Sequence, residues 1–104
     1  MKRLITILFL LVFVTTNIFA TRILIPMDEE GQRNHLKAYG IAYWILQNEI
    51  EVEWLLNYRG GSFLVTNYNS IQEECTIRGV TYELITDAKV NAIKTEISDP
   101  EVPY

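Results

Sequence analysis

The sequence predicts an α/β fold with the element order β-α-β-β-α-β-α and a mainly parallel sheet on which the helices pack. Short apolar segments alternate along the chain with longer segments whose apolar residues recur every three or four positions. Helices that connect strands favour right-handed crossovers between parallel neighbours. A ferredoxin-like split βαβ arrangement is the alternative.

The first strand and the first helix have the clearest patterns. Arg22–Met27 is a predicted strand, because Ile23-Leu24-Ile25 is a continuous apolar triplet, as in a strand covered on both faces. Asn34–Glu49 is a predicted helix. Its apolar residues form a stripe at intervals of three and four, widened by a second set: Leu36, Tyr39, Tyr43, Leu46 and Ile50, then Ile41, Ala42 and Ile45. We therefore expect this helix to be well covered.

Two further strands follow the helix closely in sequence. Glu51–Tyr58 alternates between acidic and apolar residues before it becomes fully apolar, and Phe63–Val65 is a short apolar strand. Arg59–Ser62 separates them with two glycines. A link of this length makes the two strands antiparallel neighbours.

The last three elements carry their own boundary signals. A helix opens at Asn69-Ser70, where Ser70 and Glu73 have the spacing of a capping box, and ends at Gly79. Val80–Ile85 alternates as a strand. A final helix runs from about Asp87 to Ile97.

The N-terminus has the pattern of a secretory signal peptide over Met1–Ala20. Lys2 and Arg3 are basic, Leu4–Val14 is almost purely apolar, and Ala20 is a small residue at the expected cleavage site. The apolar run is shorter than the roughly 20 residues that span a bilayer. We expect export to the periplasm or beyond, with only transient membrane contact. An uncleaved membrane anchor is the alternative.

The rest of the chain is expected to form one small unit. Residues 21–98 are predicted to be a small α/β domain or a partial domain, and residues 99–104, with Pro100 and Pro103, a linker to a missing downstream region. The formal net charge is −4 with the acidic residues scattered along the chain, which argues against a nucleic-acid surface. Cys75 is the only cysteine, so it cannot form an internal disulfide, and we expect a buried thiol.

The most suggestive short segment is the loop Arg59, Gly60, Gly61 and Ser62. Two glycines allow a backbone to turn its N–H groups towards an anion, and an adjacent arginine adds positive charge. The same residues also suit a hairpin turn that needs positive φ, and the turn is the favoured interpretation. The segment lacks the spacing and the Lys-Ser/Thr ending of a phosphate-binding loop.

A second candidate follows the first predicted strand. Asp28, Glu29 and His35 lie where ligands gather in open α/β sheets, beyond the carboxyl end of a strand. These residues have no recognised metal-ligand spacing. A solvated loop at the start of a helix is the favoured interpretation. The sequence predicts no catalytic residue, no metal and no cofactor.

Four segments resemble one family of exported bacterial proteins: Ile23–Asp28, Asn34–Trp44, Trp54–Phe63 and Glu73–Val80. The family is labelled asparagine synthetase B, and the resemblance covers essentially all of residues 23–102. Members carry a further domain similar to class I glutamine amidotransferases. The resemblance therefore implies a missing C-terminal domain of the same chain as partner.

The activity in the family label has its own sequence requirements. A true asparagine synthetase of that type has a cysteine directly after the initiator methionine and a Ser-Gly-Gly-x-Asp-Ser loop for ATP. This chain has Lys2 and no such loop. We therefore expect a non-catalytic N-terminal module of an amidotransferase-like protein. The alternatives are part of an amidotransferase or amidohydrolase with its active site beyond residue 104, or a free-standing periplasmic ligand-binding domain.

Overall fold

A computed structural model describes Phe19–Ser98. It contains four strands and three helices: β1 (Arg22–Ile25), α1 (His35–Gln47), β2 (Glu53–Leu55), β3 (Ser62–Thr66), α2 (Asn69–Arg78), β4 (Glu83–Ile85) and α3 (Asp87–Ser98). The predicted signal peptide lies outside the described residues except for Phe19 and Ala20, and the predicted linker lies wholly outside them. Among Phe19–Ser98, no helix is long and apolar enough to cross a membrane.

The four strands form one antiparallel sheet in the order β2-β3-β1-β4. Leu24 of β1 lies opposite Leu64 of β3 on one side and Glu83 of β4 on the other. Trp54 of β2 lies opposite Phe63. The prediction of a mainly parallel sheet is therefore wrong, since every neighbouring pair is antiparallel.

The insertion of β3 between β1 and β2 explains this difference. The sequence argument assumed that strands joined through a helix become neighbours. Here β1 and β2 run in the same direction, because both are antiparallel to β3, but β3 separates them. Likewise, β3 and β4 share a direction and are separated by β1. This order of interleaved units is the split βαβ arrangement of ferredoxin-like folds, which was the alternative above.

The larger core lies between one face of the sheet and helices α1 and α2. It contains β1 and β3 residues that alternate towards the helices, such as Ile23 and Val65, together with apolar residues from both helices. The buried residues of the two helices are Ala38, Ile41, Ala42, Ile45, Ile71 and Cys75. This core holds the two helices on the same side of the sheet.

Helix α3 covers the opposite face. Val90 and Ile93 pack there with Leu24, Leu64 and Ile85. The sheet is thus covered on both faces, as the apolar triplet in β1 predicted.

Polar contacts join the start and the second half of α3 to the sheet and to the residue before β1. At its start, the Thr21 hydroxyl donates to the Asp87 carboxylate at 2.6 Å. Further along, Lys94 reaches Glu53 of β2 at 2.9 Å, and Arg22 of β1 reaches the same carboxylate at 3.2 Å. Glu53 therefore connects α3 to two strands.

The apolar stripe of α1 is exposed, contrary to the expectation that the helix is well covered. Leu36 is 86% exposed and Tyr43 is 65% exposed. The narrower side of Ala38, Ile41, Ala42 and Ile45 packs on the sheet instead. Two faces of α1 are apolar, and the small alanines allow the second face to approach the sheet closely.

The ends of α2 agree only partly with their sequence signals. Gly79 ends the helix in the left-handed conformation with φ of 70°, and the Val80 N–H bonds to the Cys75 carbonyl at 2.8 Å, so the predicted C-terminal glycine is confirmed. The predicted capping box is wrong. Tyr68 is the N-cap and its side chain makes no capping bond, while Ser70 lies inside the first turn.

We expect Glu53→Gln to weaken the docking of α3 in a pH-dependent way. Lys94 lowers the pKa of Glu53 from its ordinary value of 4.5, burial opposes this shift, and Arg22 lowers the pKa further. Because the carboxylate is stabilised in the folded state, its contribution is present above about pH 4.5 and is lost as pH falls through the lowered pKa. The substitution should cost about 1 kcal/mol or less at pH 7, since the pair is partly exposed.

Urea unfolding of both proteins between pH 7 and pH 3 measures this effect. The difference in unfolding free energy should shrink as the pH falls. Glu51→Gln is the matched control, because Glu51 is exposed and forms no ion pair within the described part of the chain. A difference that stays constant with pH would contradict the role given to the Glu53 charge.

Candidate functional site

The two predicted site segments meet at one end of the sheet. Arg59 in the loop between β2 and β3 donates from Nε to Asp28 Oδ2 at 3.3 Å, just beyond the end of β1. Its Nη1 donates to Glu83 Oε2 at 2.8 Å at the start of β4. Sequence analysis singled out Asp28 and Arg59 but did not join them, and it missed Glu83. We call these three residues the Arg59 cluster.

An unusual run of backbone conformations brings Arg59 to this position. Arg59, Gly60 and Gly61 have φ values of 43°, 78° and 92°, in the left-handed region that favours glycine. The Arg59 carbonyl accepts a hydrogen bond from the Met27 N–H at 3.1 Å. At Gly60, a Cβ atom would lie 2.8 Å from the carbonyl carbon and oxygen of Met27. The glycine therefore allows the hairpin to pack directly on the backbone after β1.

The polar groups of the loop are bonded mainly to the loop itself. The N–H groups of Gly61 and Ser62 both donate to the Tyr58 carbonyl at 3.0 Å. The Ser62 hydroxyl is buried and also donates to Tyr58, again at 3.0 Å. Trp54 Nε1 donates to the Gly61 carbonyl at 2.9 Å. This arrangement has the form of a closed turn, since the N–H groups of Gly61 and Ser62 have partners within the chain.

The charge of Arg59 is balanced by two carboxylates. Burial lowers the pKa of the guanidinium, but the bonds to Glu83 and Asp28 outweigh burial and raise the pKa above its ordinary value. Arg59 thus stays positive, and its two partners offset that charge. A free anion would have to compete with both carboxylates for the same guanidinium.

The other two residues of the strand-end candidate, Glu29 and His35, make no contact with Arg59 among the hydrogen bonds and ion pairs of the described chain. His35 Nε2 lies 3.0 Å from the Met27 carbonyl, so the ring donates in this bond, because a carbonyl only accepts. Glu29 is exposed and forms no ion pair among Phe19–Ser98. His35 therefore fixes the start of α1 against the segment that follows β1.

Gln32 is the buried polar residue that sequence analysis overlooked. Its amide nitrogen donates to the carbonyls of Pro26 and Thr81, each at 2.9 Å. Its oxygen accepts from the Thr81 N–H at 2.9 Å. The side chain thus satisfies backbone groups before β4 and after β1, where the strands have stopped pairing. No local pattern distinguishes it from an exposed loop glutamine.

Metal and thiol chemistry have little support in the described residues. Within that part of the chain, no group of three or more His, Cys, Asp and Glu side chains could hold a metal ion. Cys75 is fully buried in α2, so the predicted buried thiol is confirmed. Burial raises the pKa of Cys75 to about 11, which leaves little thiolate at neutral pH.

No known protein family, curated protein or solved structure matches this chain.

We expect Gly60→Ala to destabilise the fold by about 1 kcal/mol or more, because a Cβ at φ of 78° would also clash with the backbone of Met27. Gly40→Ala is the matched control. Gly40 is helical and a Cβ there meets only Arg78 Nη1 at 3.7 Å, so alanine should stabilise α1 by roughly 0.5–1 kcal/mol. Thermal and urea unfolding measure both effects. Equal effects at the two glycines would contradict the structure of the hairpin.

The substitution Arg59→Gln distinguishes the interpretation of the loop as a turn from its interpretation as an anion-binding site. It leaves Asp28 and Glu83 without their shared cation, and we expect a loss of about 1–2 kcal/mol in unfolding free energy. If the loop is only a turn, titration with inorganic phosphate should cause no saturable NMR shifts at Gly60–Ser62 in either protein. Saturable shifts that disappear in the variant would instead establish the anion site.

Proposed function

We propose that this chain is a non-catalytic module of an exported protein, of the kind implied by its resemblance to the exported family labelled asparagine synthetase B. In this proposal it acts as a scaffold for a further domain similar to class I glutamine amidotransferases. That domain, rather than a small-molecule substrate, is its partner. No chemistry is assigned to the module itself.

The observation that carries this proposal is the engagement of the candidate reactive groups in internal contacts. Arg59 is paired with two carboxylates, His35 is bonded to a backbone carbonyl, and Cys75 is a buried thiol with a raised pKa. A catalytic group needs a partner atom on a substrate and a pKa near the working pH. These three groups serve the fold instead, which favours a binding role over a catalytic one.

A shallow apolar groove beside α2 is the surface to which we assign the further domain. It has a volume of about 360 Å³ and is lined by Gln72, Glu73, Thr76, Ile77 and Tyr82. Ile77 is 77% exposed on its rim. Apolar walls with a few polar side chains suit an inserted apolar side chain of another protein surface.

The structure also bears on when export processing would occur. The Asn67 side chain donates to the Ala20 carbonyl at 2.9 Å, and the Asn67 N–H donates to the Thr21 carbonyl at 2.9 Å. These bonds hold both sides of the proposed cleavage site against Asn67, the residue that follows β3. A signal peptidase needs an extended, accessible segment, so cleavage would precede folding in this proposal.

Site-specific photo-crosslinking in the exporting host tests the proposed function. A benzoylphenylalanine at Ile77 should crosslink to peptides of an amidotransferase-like domain encoded with this chain, as identified by mass spectrometry. The same probe at Glu30, an exposed loop residue that is not part of the groove lining, is the control and should give none. Crosslinks confined to unrelated proteins, or none at Ile77, would contradict the proposal.

A further inference from the structure

The outward side of α1 carries an apolar seam that the rest of the described chain leaves largely exposed. The seam consists of Leu36, Tyr39, Tyr43 and Leu46, with exposures of 86%, 49%, 65% and 55%. Its residues recur at intervals of three, four and three. Those intervals are the spacing with which helices pair side by side through a narrow apolar contact. The seam is separate from the groove beside α2.

The order of residues in the seam is the same in both directions. Leucine stands at each end and tyrosine at both inner positions, and Ile41, the middle residue of α1, lies at the centre of the series. Two copies of α1 packed antiparallel and in full overlap would place Leu36 of one copy opposite Leu46 of the other. Tyr39 would lie opposite Tyr43. A two-fold interface requires such a self-complementary surface.

The charges that flank the helix have the same symmetry. Arg33 lies two residues before α1 and Glu49 lies two residues after it. Both are exposed, and neither forms an ion pair within residues 19–98. In the antiparallel register each Arg33 would face the partner copy's Glu49, so opposite charges meet twice. A parallel arrangement would place like charges together.

The contacts of Tyr39 show that part of the seam is held in place before any partner binds. Its ring packs edge to face on Phe63 of β3, with ring centres 5.7 Å apart. Trp54 in turn stacks on Phe63, with ring centres 6.1 Å apart. A ring ordered in this way loses less conformational entropy on binding. The seam has a symmetric residue order, it is flanked by opposite charges, and one of its rings is already held in place. We therefore propose that the seam pairs two copies of this chain through an antiparallel contact between their α1 helices.

Sedimentation equilibrium of the protein purified from the exporting host tests the dimer, with the state of its N-terminus established by mass spectrometry. The protein should show a reversible monomer–dimer equilibrium. Leu46→Ala should raise the dimer dissociation constant by on the order of tenfold or more, because each dimer contains two copies of the contact. Leu56→Ala is the matched control, because Leu56 is an exposed leucine outside both the seam and the groove beside α2, and it should leave the equilibrium unchanged.

A charge exchange tests the partner's identity. Arg33→Glu and Glu49→Arg should each weaken the dimer, and the protein that carries both substitutions should regain the wild-type dissociation constant. Only a partner that presents the same two residues can produce this rescue. Weakening by each single change without rescue would mean that Arg33 and Glu49 do not face each other in the dimer, and would overturn the antiparallel contact.

Disulfide crosslinking tests the register of the two α1 helices in the proposed dimer. When Leu36→Cys and Leu46→Cys proteins are mixed under oxidising conditions, the mixed disulfide should form faster than either homodimeric one. Buried Cys75 should not compete. A protein that stays monomeric at millimolar concentration, or a predominant Leu36→Cys homodimer, would overturn the proposal. Neither result bears on the groove beside α2, so the proposed function stands or falls separately.

Discussion

The pairing of β3 with both β1 and β2 is the constraint on which the rest of the structure depends. With β3 in the middle, Phe63 and Val65 face α1 and α2, while Leu64 faces α3. Successive residues of one strand thus serve two cores. The same pairing carries the hairpin before β3 to the end of β1, where the two candidate segments meet.

The Arg59 cluster illustrates how a motif that suggests ligand binding can serve the fold. Glycines that free the backbone for an anion also free it for close packing, and Gly60 lies against the backbone of Met27. An arginine that would attract phosphate also attracts carboxylates of its own chain. Here the two carboxylates come from the segment after β1 and from β4, so Arg59 links the hairpin to both. The guanidinium of Arg59 thus joins the hairpin, the segment after β1 and the start of β4 at one end of the sheet.

The positions of the helices and strands were largely predictable from the sequence, but the pairing of strands distant in sequence was not. All seven elements follow from hydrophobic periodicity, and the end of α2 follows from Gly79, because these signals lie within a few residues. The neighbours of β1 depend on residues about forty and sixty positions away. No local pattern encodes that choice. Glu83 and Gln32 were missed for the same reason, since each acts on distant backbone or side chains.

The exposed side of α1 shows a different limit of prediction from hydrophobic periodicity. Periodicity identifies apolar faces, but α1 has two of them, and the sequence does not say which one packs on the sheet. The small residues Ala38 and Ala42 decide the outcome by allowing close approach. The larger face, with its leucines and tyrosines, is then left outside. An exposed apolar surface of this kind is typical of a contact with another protein.

Backbone nuclear Overhauser contacts across the sheet test the central claim about β3 most directly. The account predicts antiparallel contacts between β1 and β3 around Leu24 and Leu64, and between β2 and β3 around Trp54 and Phe63. Contacts of β1 with β4 should appear around Ile23 and Leu84. Direct parallel contacts between β1 and β2, with β3 at an edge of the sheet, would contradict it.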